Sequence, residues 1–244
     1  MFLSGLLREK GRRKMNKIFQ ESTFLGVAIS LLTYGFGSFL KKKTKLGIFN
    51  PLLISIIITI IIISVGKVDY DVYNESAKLL GWFLTPATVC LAVPLYEQWE
   101  LLKKNYKAVV AGLVTGTVTS MLTVFVLCLI CGVDHKGYVT LLPKSITTAI
   151  GMGVSEELGG YVTITVAVII ITGVLGNILG EFICKVFKIN EPISKGLAMG
   201  ASSHAIGTAK AMEMGDVEGA MSSLAIAVSG LLTVVLASVF ANFI

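Results

Sequence analysis

The chain has 244 residues, of which 54% are hydrophobic and only 15% are charged. Soluble domains carry about 25% charged residues, so this composition, together with apolar runs of about 18 residues or more, excludes a soluble enzyme and indicates an integral membrane protein. The net charge of +6 is concentrated in residues 1–14 and therefore gives no indication of nucleic-acid binding.

The amino-terminal segment has two interpretations. Residues 1–14 are either a basic arm beside the membrane or an extension from an upstream start codon, because Met15 is a plausible second start. Residues 15–244 are expected to form a single integral membrane domain.

Apolar segments follow one another along the rest of the chain. Backbone polar groups must be bonded within the bilayer, and the periodicity is not that of barrel strands, so the segments are predicted to be helices. The predicted fold is an all-α, polytopic transmembrane bundle of about six to eight spans. The candidate spans are 23–40, 46–65, 79–96, 108–133, 158–180 and 219–244.

A short motif recurs in the second half of the chain. AIGMGVSEELG at 149–159 and AIGTAKAMEMG at 205–215 share the pattern A-I-G-x5-E-(L/M)-G. AVPLYEQWELL at 92–102 is a degraded copy, and Thr-Gly or Ser-Gly pairs recur at a similar spacing. These matches predict internal repeats of about 57 residues, with units 79–133, 138–188 and 195–244.

Each predicted repeat contains a short apolar segment interrupted by helix-breaking residues, which is typical of secondary transporters. Freed backbone groups are tolerated in a membrane only where they line a cavity or contact protein. The predicted helix breaks are Pro86, Pro94, Gly151 and Gly207. The alternative is that the glycines only permit close helix packing, and this interpretation is preferred for Gly112-x3-Gly116 and Gly176-x3-Gly180.

Charge distribution leaves two topologies open. Lysines at 103–107 and at 185–195 are predicted to be cytoplasmic, as is the KKKTK stretch at 41–45. If 138–160 and 195–215 are re-entrant, the chain has six crossings and two opposed broken hairpins. If both segments cross the membrane, it has eight.

His204 is the first candidate functional residue, because placing a polar side chain in an apolar membrane segment costs free energy. Its imidazole suits substrate or proton handling, although a hydrogen-bonded structural role is the alternative. The predicted substrate-binding residues are Ser202, Ser203, His204, Gly207, Thr208, Thr147, Thr148 and Lys144.

Two carboxylates recur between the repeats. Glu157 and Glu213, together with His204, are predicted to couple a proton or ion, although they could instead cap a helix or pair with Lys144 or Lys210. Lys144 could also be an interfacial anchor, and Asn177 is expected to bond across helices. Hydroxyls and helix N-termini attract carboxylate oxygens, so the predicted ligand is a small anion. No catalytic residue, cofactor or metal site is predicted.

Three stretches carry a family resemblance. TPATVCLAVPLY (85–96), KSITTAIGMGVSEELGG (144–160) and GLAMGASSHAIGTAKAMEMGDVEGAMSSLAIAVSGLL (196–232) resemble the LrgB/CidB family of bacterial membrane proteins. The S-H-A-I-G-T-A block followed by E-G-A-M-S-S is a distinctive pattern of that family. The resemblance covers nearly the whole chain after Met15.

The resemblance implies a multi-pass protein of the bacterial plasma membrane. It implies either an antiholin-like regulator of murein hydrolase activity and cell lysis, acting with a small LrgA/CidA-type partner, or a carrier. Plant plastid relatives are glycolate/glycerate translocators, and some bacterial members are linked to pyruvate uptake. A carrier of small 2-hydroxy or 2-oxo monocarboxylates is preferred, because pure regulation leaves the polar His204 segment unexplained. Substrate, coupling ion, transport direction and homo-oligomerisation stay open.

Overall fold

A computed structural model describes residues 15–22, 24–44, 50–83, 86, 89–90 and 92–244. Every regular element in this part of the chain is helical, which confirms the all-α prediction. The predicted tail 1–14 lies outside the described residues. The helices are α1 (Met15–Glu21), α2 (Leu25–Thr44), α3 (Pro51–Gly66), α4 (Tyr70–Trp82), α5 (Ala92–Glu97), α6 (Trp99–Cys131), α7 (His135–Leu141), α8 (Thr148–Glu157), α9 (Val162–Val186), α10 (Pro192–Met214) and α11 (Asp216–Phe240), followed by a 3-10 turn at Ala241–Phe243.

The chain forms two compact units, one on each side of the Val89–Cys90 bond. In the first unit, α2 packs against α3 and α4. A Cβ on Gly37 would lie 2.8 Å from the Pro51 carbonyl oxygen, so the missing side chain permits this close packing. The predicted first repeat, 79–133, extends across the boundary between the units.

Three helical segments within the described residues are long and apolar enough to cross a membrane. All three belong to the second unit: Trp99–Cys131, Val162–Val186 and Asp216–Phe243. In the first unit, α1 and α2 could form a fourth span only as a bent pair. Helix α3 is apolar, but its 16 residues span only about 24 Å, less than the ~30 Å hydrocarbon core. The protein is therefore an integral membrane protein that combines membrane-spanning helices with helices too short to cross the bilayer.

Helices α7 and α8 form a hairpin that begins and ends on the same side of the second unit. At its start, the Tyr138 hydroxyl donates to the Phe240 carbonyl at 2.9 Å, near the end of α11. Thr140 Oγ1 accepts from the Tyr161 backbone N–H at 2.8 Å, near the start of α9. At the end of the hairpin, Thr165 Oγ1 donates to Ser155 Oγ at 2.7 Å. The segment therefore re-enters rather than crosses.

Helix α10 is a second re-entrant hairpin, because its backbone breaks at His204 (φ 43°, ψ −141°). Met199 on the first leg packs against Gly180 of α9. Lys210 on the second leg forms an ion pair with Glu181, at 3.0 Å, only one residue further along α9. Both legs therefore run alongside the same part of α9, and the chain returns to the end at which it entered.

The two hairpins come from opposite ends of the second unit and meet beside Ile169 of α9. His204 Nε2 lies 3.0 Å from the Ile169 carbonyl oxygen, and Gly151 of α8 packs against the Ile169 side chain. Ile169 lies about 10 Å from the start of α9 and about 25 Å from its end, at 1.5 Å per residue. The second unit thus has three spans and two opposed hairpins whose tips meet inside the helix bundle.

Candidate functional site

A groove of about 610 Å³ lies between α6 and the first leg of α10. It runs from Ala108 and Ile193, near the lysine-rich end of the unit, to Lys144 and Ser202 near the hairpin tips. The wall contributed by α6 carries three threonines spaced four residues apart, on one helix face. The other lining residues are small or polar for the most part: Gly112, Thr115, Gly116, Thr119, Ser120, Thr123, Ser145, Ser194, Leu197, Ala198 and Ala201.

Lys144 lies at the deep end of this groove, in the turn between α7 and α8. Its ammonium donates to Ser145 Oγ at 3.0 Å and to Ser120 Oγ at 3.2 Å, and the two hydroxyl oxygens lie 3.1 Å apart. An ammonium has three N–H donors, so two serines leave one N–H for a ligand. A half-buried cation held by hydroxyls attracts a small anion.

Small residues keep the groove open. A Cβ on Gly116 would contact nothing within 4 Å, and one on Gly112 would lie 3.6 Å from Leu197. These glycines line the groove and are not closely packed, contrary to the interpretation favoured from sequence. Gly176 and Gly180 do pack tightly, against Ser203 and Met199 of α10, which confirms the packing interpretation for that pair.

His204 lies outside the groove and is only 3% exposed. Because a carbonyl oxygen can only accept, the His204 Nε2 must carry the hydrogen that it donates to Ile169. The ring packs against Gly173, where a Cβ would lie 2.7 Å from both Cε1 and Nε2. The imidazole therefore stabilises the sharp turn at the tip of α10.

Thr208 also stabilises this tip. Its hydroxyl donates to the His204 carbonyl at 3.0 Å and lies 2.7 Å from Ser222 Oγ of α11. Ser203 is buried, whereas Ser202 is exposed to the groove. The Oγ atoms of the two serines lie 3.0 Å apart. Of the predicted binding residues, Lys144 and Ser202 line the groove, and Ser203, His204, Gly207 and Thr208 build the hairpin tip.

Two half-helices begin at the meeting point of the hairpins. Thr147 is the N-cap of α8, in extended conformation (φ −65°, ψ 148°), and Thr148 is its first residue. The second leg of α10 begins after His204. Helix N-termini carry partial positive charge, so both half-helices make the tip region favourable for an anion.

The helix breaks differ in position from those predicted. Gly151 lies within α8 and Gly207 within α10, while the breaks lie at 142–147 and at His204. Gly207 allows the second leg of α10 to pack closely against the first, because an added Cβ would lie 2.7 Å from the Met199 carbonyl oxygen. Pro94 is the third residue of α5, a first-turn position that tolerates proline. Pro86 is helical, but the residues on either side of it are not among those that the structure describes.

The predicted coupling carboxylates lie away from the groove. Glu157 is the last residue of α8 and is exposed. Glu213 pairs with Lys210 at 3.4 Å, which confirms the alternative pairing noted from sequence. Asn177 Nδ2 donates to the Ile206 carbonyl at 2.7 Å, which confirms the expected bond across helices.

Sequence reasoning missed the contribution of α6. Ser120 holds the lysine, and Thr119 lines the same groove. The four-residue spacing of Thr115, Thr119 and Thr123 in an apolar helix was a visible signal of a polar face. Their neighbour Ser120 gave no separate signal, because its role depends on a lysine that lies 24 residues away.

Comparisons with known proteins identify the family. The sequence profile described as the LrgB-like family matches residues 30–243. The chain is 38% identical over 222 residues to "Antiholin-like protein LrgB" of Bacillus cereus (strain B4264) and of Bacillus anthracis (strain CDC 684 / NRRL 3495). Each alignment covers 91% of this chain and 96% of the relative. No solved structure matches the chain. The chain therefore belongs to the LrgB-like family.

Proposed function

We propose that the protein is a carrier of small monocarboxylates with a 2-hydroxy or 2-oxo group, such as pyruvate, glycolate or glycerate. The observation that carries this proposal is Lys144, held by Ser120 and Ser145 at the deep end of a groove walled mainly by small residues. The free N–H of Lys144 would bind one carboxylate oxygen. The hydroxyl of Ser202 donates to the Ala198 carbonyl at 2.7 Å, so its oxygen would accept the hydrogen of a 2-hydroxyl group of the substrate.

The architecture supports a carrier and not a passive scaffold. Opposed broken hairpins whose half-helix N-termini meet inside the helix bundle are characteristic of secondary transporters. The groove extends from the hairpin tips towards the end that carries Lys103, Lys107 and Lys195, which the positive-inside rule assigns to the cytoplasm. This conformation would therefore give the site access to the cytoplasm.

The lining supports a small ligand. Among the described residues that surround the groove, none is aromatic, and most are glycine, alanine, serine or threonine. The walls are formed by small residues with largely apolar surface, and one cation lies at their end, which suits one carboxylate better than a larger polyanion. We therefore propose the substrate class from charge and size. The same class is implied by the family resemblance of the sequence.

A regulatory function is the second candidate, because the similar proteins are named antiholin-like. In that role the protein would act in the bacterial plasma membrane with an LrgA/CidA-type partner and without moving solute. A regulator of this kind has no need for a cation at the end of a groove. We therefore propose transport as the mechanism and control of lysis as its consequence.

Uptake into proteoliposomes tests the carrier. Labelled pyruvate and glycolate are offered to the wild type and to Lys144→Gln, each with and without an LrgA/CidA-type partner. Loss of a hydrogen bond to a charged group costs about 1.5–3 kcal/mol, so the expected rise in KM for Lys144→Gln is about 10- to 100-fold.

Lys136→Gln is the matched control. Lys136 belongs to the same hairpin, but it is exposed and its Nζ lies 4.3 Å from the centre of the Tyr161 ring. Uptake by the Lys136→Gln variant should therefore equal uptake by the wild type. Saturable uptake that Lys144→Gln leaves intact would contradict the assigned site. Absence of uptake by folded wild type, with partner present, would exclude the carrier and favour the regulator.

A further inference from the structure

The groove that ends at Lys144 is much larger than a three-carbon acid. Its volume of about 610 Å³ equals that of about 20 water molecules at about 30 Å³ each, which is typical of pockets that hold drug-sized ligands. From Ala108 to Ser120, which contacts Lys144, the groove extends about 18 Å along α6 at 1.5 Å per residue. A ligand of the size of pyruvate would occupy only the end near Lys144 and would leave the rest of the groove to water.

The polar groups of the groove are concentrated at its deep end. The ammonium of Lys144 lies there with the hydroxyls of Ser120 and Ser145, and Ser202 lines the groove near the tip of α10. Between this end and the mouth, the passage is lined mainly by glycine and aliphatic residues of α6 and of the first leg of α10: Gly112, Gly116, Leu197, Ala198 and Ala201. The groove therefore has one cationic end and a long apolar passage.

Two of the threonines on α6 do not offer donors to a ligand in this passage. The Thr115 hydroxyl donates to the Ala111 carbonyl at 2.7 Å, and the Thr123 hydroxyl donates to the Thr119 carbonyl at 2.7 Å. Each hydroxyl hydrogen is therefore used within the helix, so neither side chain has a hydrogen left for a carboxylate. An anionic head at Lys144 followed by an apolar tail is the ligand chemistry that matches such a groove.

We propose that the groove binds monocarboxylates in which an aliphatic chain of several carbons follows the 2-oxo or 2-hydroxy group; this proposal rests on the carrier function proposed above. The carboxylate lies at Lys144, and the chain extends past Gly116 towards the mouth. Each methylene group that is removed from water strengthens binding by about fourfold. Gly116 sets the length of chain that fits, because a Cβ at this position would have nothing within 4 Å and a larger side chain would fill the passage.

Counterflow in proteoliposomes that contain the full chain tests this preference. Exchange of labelled for unlabelled pyruvate is inhibited with 2-oxobutanoate, 2-oxopentanoate or 2-oxohexanoate, and the inhibition constant of each acid is measured. At about fourfold per methylene group, the constant should fall by about 10- to 15-fold from the four-carbon acid to the six-carbon acid. Protein-free liposomes correct for direct permeation of the acids.

Gly116→Leu tests where the chain lies. The ratio of the two inhibition constants is taken within each variant, so that a change in overall transport rate cancels, and in Gly116→Leu it should fall to about 1–2. Ala198→Leu, which narrows the groove from α10, should lower the ratio as well. Gly153→Leu is the matched control and should keep the wild-type ratio, because Gly153 is also an exposed helical glycine with nothing within 4 Å of its Cβ position, but it lies in α8 outside the groove.

The outcomes separate the two proposals. Wild type without pyruvate counterflow contradicts the carrier itself. Counterflow with equal inhibition constants along the series contradicts the site for an aliphatic chain and leaves the carrier intact; this is the result expected if an acyl chain of a bilayer lipid fills the groove. A steep dependence on chain length that neither Gly116→Leu nor Ala198→Leu reduces also contradicts the proposal, because the chain would then bind elsewhere.

Discussion

At the scale of single residues, His204 and Ser202 are close in sequence but are expected to have different roles. His204→Ala removes the donor to the Ile169 carbonyl and leaves space beside Gly173. Hydrogen bonds inside membrane proteins contribute about 0.6 kcal/mol on average and up to about 1.7 kcal/mol. We therefore expect a lower unfolding temperature in detergent, with an unchanged KM for the substrate.

Ser202→Ala provides the comparison for that experiment. Ser202 is exposed to the groove, so its variant should unfold at the wild-type temperature and show a higher KM. If His204→Ala instead raises KM without loss of stability, the imidazole contacts the substrate, as its sequence context had suggested.

The site could be predicted from the sequence only in part. Lys144 and Ser202 were predicted and line the groove, because a charge and a hydroxyl in apolar segments are visible in the sequence. The orientation of His204 was not visible, since it depends on a backbone turn with φ 43°. That turn is unusual for a residue with a side chain, and no local residue pattern indicates it.

At the scale of the elements, two equivalent contacts join the predicted repeats. Ile206 of the last repeat packs against Gly173 of α9, and a Cβ there would lie 2.9 Å from its Cδ1. Ile150 of the preceding repeat packs against Gly230 of α11, at a corresponding distance of 3.2 Å. The isoleucines are 56 residues apart and the glycines 57. Such reciprocal contacts are those of a two-fold relation and support the repeat hypothesis.

Alanine substitutions measure how closely each of these contacts is packed. Gly173→Ala places a methyl group against the buried His204 ring and Ile206, and overpacking of this kind costs about 1–3 kcal/mol. Gly230→Ala meets only the end of the flexible Ile150 side chain, so it should lower the unfolding temperature less.

Gly153→Ala is the control for helix propensity. Gly153 lies within α8 and has nothing within 4 Å of its Cβ position, so alanine should stabilise the helix by up to about 1 kcal/mol. Equal unfolding temperatures for the Gly173→Ala and Gly230→Ala variants would contradict the packing difference.

The element scale also explains why the breaks were misplaced in sequence. Gly151 and Gly207 have weak helix propensity, which made them candidates, although the break at 142–147 contains Pro143, whose helix propensity is weaker still. In the structure, Gly151 packs against Ile169 and Gly207 against the returning chain. Close approach between helices is a tertiary requirement, and propensity alone does not distinguish it from a helix break.

At the scale of the whole molecule, the second unit has two distinct ends. One end contains the termini of α6 and α11 and the start of the α7–α8 hairpin, joined by the Tyr138 bond to Phe240. The other contains the lysines around the start of α10, at 185–195. The positive-inside rule predicts that the second end faces the cytoplasm, and the re-entrant α10 hairpin would then open to the inside.

Cysteine labelling in intact bacteria tests this orientation. Cys131 is a free, exposed thiol at the end of α6, and Glu191 is exposed just before α10. In a background where the exposed Cys90 is serine, a membrane-impermeant maleimide should label Cys131. A Glu191→Cys, Cys131→Ser variant should react only after the cells are permeabilised, which also controls for thiol reactivity. Labelling of position 191 from outside would reverse the orientation assigned to the second unit.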